Sequence, residues 1–117
     1  VQRDRLGAAR EAARQWRKVV LLKGAHSVSC HPDGRAVISP FANPGLASAG
    51  TGDVLAGVIA GFMAQGLRSW ESAIVGVFIH GKAGEIGREE VGAVGMVASD
   101  LLIRIPRAIS ELSSVQF

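Results

Sequence analysis

Hydrophobic spacing changes several times along these 117 residues, and each change marks a predicted element. Leu6, Ala9, Ala13 and Trp16 recur at three- and four-residue intervals through a stretch rich in Ala, Arg and Glu, which predicts an amphipathic helix started near Asp4. The uninterrupted run Val19-Val20-Leu21-Leu22 follows, as expected of a strand buried on both faces. Residues 27–30 and 35–39 flank Pro32-Asp33-Gly34, where proline presets one turn dihedral and glycine tolerates positive φ, so a β-hairpin is expected. Residues 40–49, rich in Pro, Gly, Asn and Ser, form a loop running into Gly50-Thr51-Gly52-Asp53 and then a helix.

Val54, Leu55, Val58, Ile59, Phe62 and Met63 leave that helix little polar face, with Gly57 and Gly61 one turn apart for close approach of another backbone. It is predicted to be central and to end at Gly66. Ser69 is placed to cap the next helix, from Trp70 to about Ile86. A glycine-rich bend over 87–95, a helix over 98–105 and a last helix opened by Pro106 complete the chain. Helix, strand, hairpin, glycine-rich loop and then several helices make an α/β protein. Three visible strands are few for so many helices, so further strands encoded upstream of Val1 are expected to complete the sheet.

Composition sharpens this picture. Hydrophobic residues make up 48% and mean hydropathy is +0.27, yet aromatics are only 5%, tyrosine is absent and glycines number fifteen, so small aliphatic residues must build a close-packed interior. The net charge of +3 divides into +4 over the first eighteen residues and −1 over the rest. Arg3, Arg10, Arg14, Arg17 and Lys18 are best understood as the solvated face of one helix, and no nucleic-acid partner is expected. The apolar runs at 54–64 and 73–79 are shorter than the roughly 20 residues of a membrane span, so no membrane partner is expected either. Cys30 is alone, which rules out an internal disulfide and fits a reducing, cytoplasmic setting.

The chemistry concentrates in residues 43–53. A helix N-terminus presents unpaired N–H groups and about half a positive charge, and it binds phosphate where side chains leave it accessible. Gly50 and Gly52 clear that approach, Ala49 extends the bare stretch, and Thr51 can offer a hydroxyl. Asp53 beside such an anion hole is placed to take a proton from a hydroxyl attacking a terminal phosphoryl group, while the amides stabilise charge on the transferred oxygens. Lys23 at a strand end can meet a phosphate or the edge of a ribose. An isolated Gly-x-Gly-Asp would be only a helix cap.

Several further blocks remove that isolation: Val19 to Ala25, Pro32-Asp33-Gly34, residues 43–57, His80-Gly81-Lys82-Ala83-Gly84 and Ala98-Ser99-Asp100-Leu101. In this order the sequence resembles the ATP/ADP-dependent NAD(P)H-hydrate dehydratases, over nearly its whole length. The resemblance implies the C-terminal portion of a ribokinase-like three-layer fold, residues 1–117 being the later part of one such domain whose N-terminal half lies elsewhere. It implies repair of hydrated nicotinamide cofactors: ADP or ATP phosphorylates the hydroxyl of NADHX or NADPHX, and loss of phosphate restores NADH or NADPH. It places Lys23, Gly24, Ala25, His26 and Ser27 at the adenine nucleotide, Gly52 at its phosphates, Asp53 at the hydrated substrate as base, and Asn43 and Gly45 in the approach loop. Mg²⁺ is expected with the nucleotide, held mainly by phosphates and water in the absence of a carboxylate cage.

The sequence departs from the family at Ala49, where a second glycine is common. Two other readings stay open, a ribokinase-like kinase for a vitamin precursor or sugar and a non-catalytic nucleotide-binding module. His80, mid-helix, is expected to be buried and hydrogen-bonded, His26 and His31 do not suggest a metal pair, Asp100 reads as a helix-start cap, and Cys30 as packing. Sheet edges and apolar helix faces suggest that copies associate.

Overall fold

The computed structural model describes residues 4–43, 46 and 50–113. Its elements are α1 (Arg5–Trp16), β1 (Val20–Leu22), β2 (Val28–Cys30), β3 (Ala36–Ile38), α2 (Thr51–Ala64), α3 (Ser69–Glu90), α4 (Ala98–Leu102) and α5 (Ile105–Ser113). The strands form an antiparallel sheet in the order β1-β2-β3, with Leu21 opposite Ser29 and Ser29 opposite Val37. The expected hairpin turn is present. His31 N–H donates to Arg35 O at 2.8 Å, and Gly34 takes φ +100°.

Alternation along β2 sorts the sheet's two faces. Val28 and Cys30 join Ala9 and Ala13 of α1 in one buried cluster, while Ser29 on the opposite face shares a small gap with Ile74, Val77 and Phe78 of α3. The sheet thus lies between α1 and α3. Beyond α3 a larger core of Ile79, Ala83, Ile86, Leu101, Ile105 and Ala108 joins α3, α4 and α5, and Val54, Val58 and Phe62 of α2 pack against it. Glu90 at the end of α3 accepts from Arg104 at 2.9 Å and Arg107 at 2.8 Å, tying α3 to α5.

Six expectations are corrected. β1 is half-buried throughout: among the described residues only β2 flanks it in the sheet, and α1 lies against one face. Trp16 is 64% exposed, since the buried stripe of α1 ends at Ala13. Gly57 and Gly61 face open space, and the close approaches fall on α3, at Gly76 against Ile59, Gly81 against Phe41, Gly84 against Leu46 and Gly87 against Met96. Gly87 therefore stays helical, and α3 runs to Glu90 before the bend. Ser69 is the first helical residue, after Arg68, whose N–H donates to Glu71 Oε1 at 3.0 Å. The helix predicted over 98–105 breaks after Leu102, and α5 opens at Ile105. Other readings hold. Gly66 follows the end of α2 with φ +106°, Asp100 accepts the Val97 N–H at 3.0 Å as a cap, and Cys30 is fully buried, its thiol pKa raised by that burial.

Candidate functional site

Between the sheet and the start of α2 lies a cleft of about 640 Å³. One wall is the turn after β1, with Lys23, Gly24, Ala25 and Ser27, and the opposite wall is the start of α2, Gly50 to Asp53. Phe41, Ala42, Asn43 and Leu46 of the loop and Val77, His80 and Gly81 of α3 close the floor. The chain thus brings together nearly every site residue expected from sequence. His26 is apart from them, and Gly45 lies outside the described residues. His26 takes φ +55°, its N–H donates to Phe41 O at 3.1 Å and its Nδ1 lies 2.9 Å from Ser39 O, so it joins the turn after β1 to the loop.

At the start of α2, Gly50 and Gly52 place no side chain of their own. Gly50 has φ +88°, a conformation that side chains rarely take, and a Cβ there would meet Ala98 Cβ at 3.1 Å. The Ala-Ser-Asp block at the start of α4 is thus what Gly50 packs against. Over Gly52 the approach is occupied by the Lys23 ammonium, which stands where a Cβ would be. No carboxylate pairs with Lys23 within 4.0 Å among the described residues. A cation at the positive end of a helix dipole is repelled by it, and a bound anion relieves both charges at once. Asp53 follows in the first turn of α2, exposed at the cleft. The hydroxyl of Thr51 has a different use from the one expected: it donates to Leu46 O at 2.5 Å, fixing the loop.

α3 is the platform under this loop, and its His-Gly-x-Ala-Gly block explains itself residue by residue. His80 is 8% exposed and its Nε2 lies 2.9 Å from Thr51 O, an acceptor only, so Nε2 carries the proton. Burial lowers the His80 pKa, the Thr51 carbonyl opposes this, and the nearby Lys23 charge lowers it further; the ring is neutral at pH 7. Gly81 seats the Phe41 ring, Ala83 is fully buried, and Gly84 seats Leu46 while its carbonyl accepts Asn43 Nδ2–H at 2.7 Å. Asn43, 6% exposed, thereby anchors the loop to α3.

Sequence reasoning missed Arg5. Its guanidinium donates to Ala25 O at 2.9 Å, Lys23 O at 3.0 Å and Leu22 O at 3.2 Å, across the back of the turn that displays Lys23. Gly24 is bare for the same reason: a Cβ there would lie 2.6 Å from Arg5 Nη2. The only sequence signal was an arginine at the first turn of α1, indistinguishable from the solvated ones. Among the described residues no group of three or more His, Cys, Asp or Glu side chains is arranged for a metal, and no helix is long and apolar enough to cross a membrane.

Comparison with known proteins places this arrangement. A family model described as NAD(P)H-hydrate dehydratase matches residues 1–107. The chain is 46% identical over 112 residues to a bifunctional NAD(P)H-hydrate repair enzyme of Moorella thermoacetica, covering 96% of this chain and 21% of that protein. It is 39% identical over 100 residues to an ADP-dependent (S)-NAD(P)H-hydrate dehydratase of Xanthomonas campestris, covering 86% of this chain and 35% of that one. The crystal structure of an ADP/ATP-dependent NAD(P)H-hydrate dehydratase from Bacillus subtilis, co-crystallised with ATP/Mg²⁺, superposes with a TM-score of 0.88 at 33% identity, over 94% of this chain and 40% of that one. The chain thus spans well under half the length of these relatives. With that family model matching residues 1–107, the chain belongs to the NAD(P)H-hydrate dehydratase family.

Proposed function

We propose that the cleft binds the phosphates of ADP or ATP between Lys23 and the start of α2, and that Asp53 serves there as base in the nucleotide-dependent dehydration of NADHX and NADPHX. The observation carrying this reading is the Lys23 ammonium held over Gly52, one residue before Asp53, with no carboxylate partner among the described residues. Cation and helix N-terminus converge on one point, where an oligophosphate end satisfies both.

The chemistry follows from that placement. Asp53 accepts the proton of the substrate hydroxyl as its oxygen bonds to the terminal phosphorus, and the bond from that phosphorus to the bridging oxygen breaks, leaving ADP from ATP or AMP from ADP. Backbone N–H groups at Gly50, Thr51 and Gly52, the anion hole, and the Lys23 ammonium stabilise charge on the phosphoryl oxygens. Departure of inorganic phosphate with a ring proton then restores the dihydronicotinamide. Mg²⁺ fits this site only as a companion of the phosphates, since Asp53 is the one carboxylate among the described residues lining the cleft; when bound it would neutralise phosphate charge.

The reading includes residues 1–117 as the C-terminal part of a larger ribokinase-like domain, which the 40% coverage of the Bacillus subtilis chain supports. It also includes a cytoplasmic setting and association between copies; exposed Leu102 and Ile103 favour the latter. The test is recovery of nicotinamide absorbance from NADHX on adding ADP or ATP. Recovery that needs nucleotide and disappears in Asp53→Asn is expected. A stable phosphorylated small molecule as end product would instead select a kinase.

A further inference from the structure

We propose that Arg5 is a positioning residue of the nucleotide site: its guanidinium, forked over the carbonyls of Leu22, Lys23 and Ala25, holds the turn in the one conformation that places the Lys23 ammonium over Gly52. This rests on the nucleotide reading of the cleft. A three-residue strand running into Lys23 and Gly24 cannot by itself fix that lysine, because the backbone of Gly24 is free to rotate. Within the turn, Ser27 Oγ lies 3.3 Å from both Gly24 N and Gly24 O, at the long end of hydrogen bonding. The Arg5 bonds, at 2.9–3.2 Å from a charged donor, are the stronger constraint. They also tie the turn to α1, whose buried Ala9 and Ala13 pack on the sheet, so the rigidity of a twelve-residue helix is passed to a loop.

α1 supplies its own control. Arg10 Nε donates to Gly34 O at 3.2 Å, the same kind of bond from the same helix to a turn of the hairpin, away from the cleft. The experiment is calorimetric binding of ADP to the purified protein and to Arg5→Ala, Arg5→Lys and Arg10→Ala, with a melting curve for each. In Arg5→Ala the Kd for ADP is expected to rise roughly tenfold, in line with loss of charged hydrogen bonds. Arg10→Ala should bind like the parent. Arg5→Lys keeps the charge but not the fork, and should recover less than half of the loss on a logarithmic scale. Full recovery by lysine would overturn the fork in favour of charge alone, and equal weakening in Arg5→Ala and Arg10→Ala would reduce Arg5 to a structural anchor. An unchanged Kd in Arg5→Ala would sink the inference while leaving the nucleotide site intact, whereas a parent protein that binds no ADP would overturn the site and the inference together.

Discussion

The cleft joins two halves of unlike construction. On one side, α3, α4 and α5 share a core of Ile79, Ala83, Ile86, Leu101, Ile105 and Ala108, with α2 packed against it; on the other, among the described residues, α1 and three short strands share the smaller buried cluster of Ala9, Ala13, Val28 and Cys30, with Leu6, Val20, Leu22 and Ala36 packed against it. The helical half is held by burial. The sheet half leans more on hydrogen bonds, including those of Arg5 and Arg10 from α1 to loop carbonyls. Between them lie Phe41 edge-on to Phe78 and His31 edge-on to Trp70, each at 5.4 Å, with Arg35 above Trp70 at 5.3 Å. The proposed roles divide along the same line. Asp53, which must be placed to a fraction of an ångström for proton transfer, stands on the better-packed half, while Lys23 and its turn, which must meet a flexible phosphate chain, stand on the lighter one.

The largest effect expected is on turnover. Asp53→Asn should lower the rate of NADHX dehydration by about 10²–10⁴-fold with ADP affinity retained, as loss of a general base does. Steady-state rates alongside calorimetry would show it; an equal loss of binding would make Asp53 a helix cap and dissolve the division of roles. Next comes stability. Ile79→Ala in the helical core should cost about 2–5 kcal/mol, and Val28→Ala in the sheet core less, because a smaller side chain is lost from a smaller cluster. Denaturant titrations give both numbers, and a larger cost at Val28 would reverse the comparison.

Lys23→Met should weaken ADP binding roughly 10- to 100-fold, the scale of a charged hydrogen bond, while leaving the melting temperature unchanged or raised. The cation is unfavourable beside the α2 N-terminus until an anion arrives. A marked fall in melting temperature would mean that Lys23 supports the fold instead. The smallest effect concerns His80. Its folded-state pKa is below the ordinary imidazole value of about 6.5, so the unfolded chain takes up the proton first as pH falls. The stabilisation from the neutral ring is therefore complete above that value and is lost as pH drops through the folded-state pKa. His80→Gln, whose amide can still donate to Thr51 O, should flatten the dependence of melting temperature on pH between 7.5 and about 5. An unaltered slope would show that another group carries it.

Much of the fold is legible along the chain because its signals are local. The three-four spacing of α1, the Pro-Asp-Gly turn and the glycine after α2 each act through their own dihedrals or their own face. Glycines inside helices are not legible in this way, because their contacts are not local. Gly57 and Gly61 have the same one-turn spacing as small residues at a helix contact, yet they face open space, while Gly76, Gly81, Gly84 and Gly87 carry Ile59, Phe41, Leu46 and Met96. Nothing local distinguishes the two sets.

Residues 43–53 show the same boundary inside the site itself. By its own order of glycines, threonine and aspartate the sequence determined that a bare helix start with an adjacent carboxylate exists, since backbone N–H groups and the helix dipole need no distant partner. Tertiary structure decided what stands over that start and what holds it still: Lys23 above Gly52, His80 beneath Thr51, Asn43 bound to Gly84, and Arg5 behind the turn. These contacts span 17 to 41 positions for the hydrogen-bonded pairs, and side-chain direction over such separations is set by packing of whole elements, which no residue's neighbours in sequence encode.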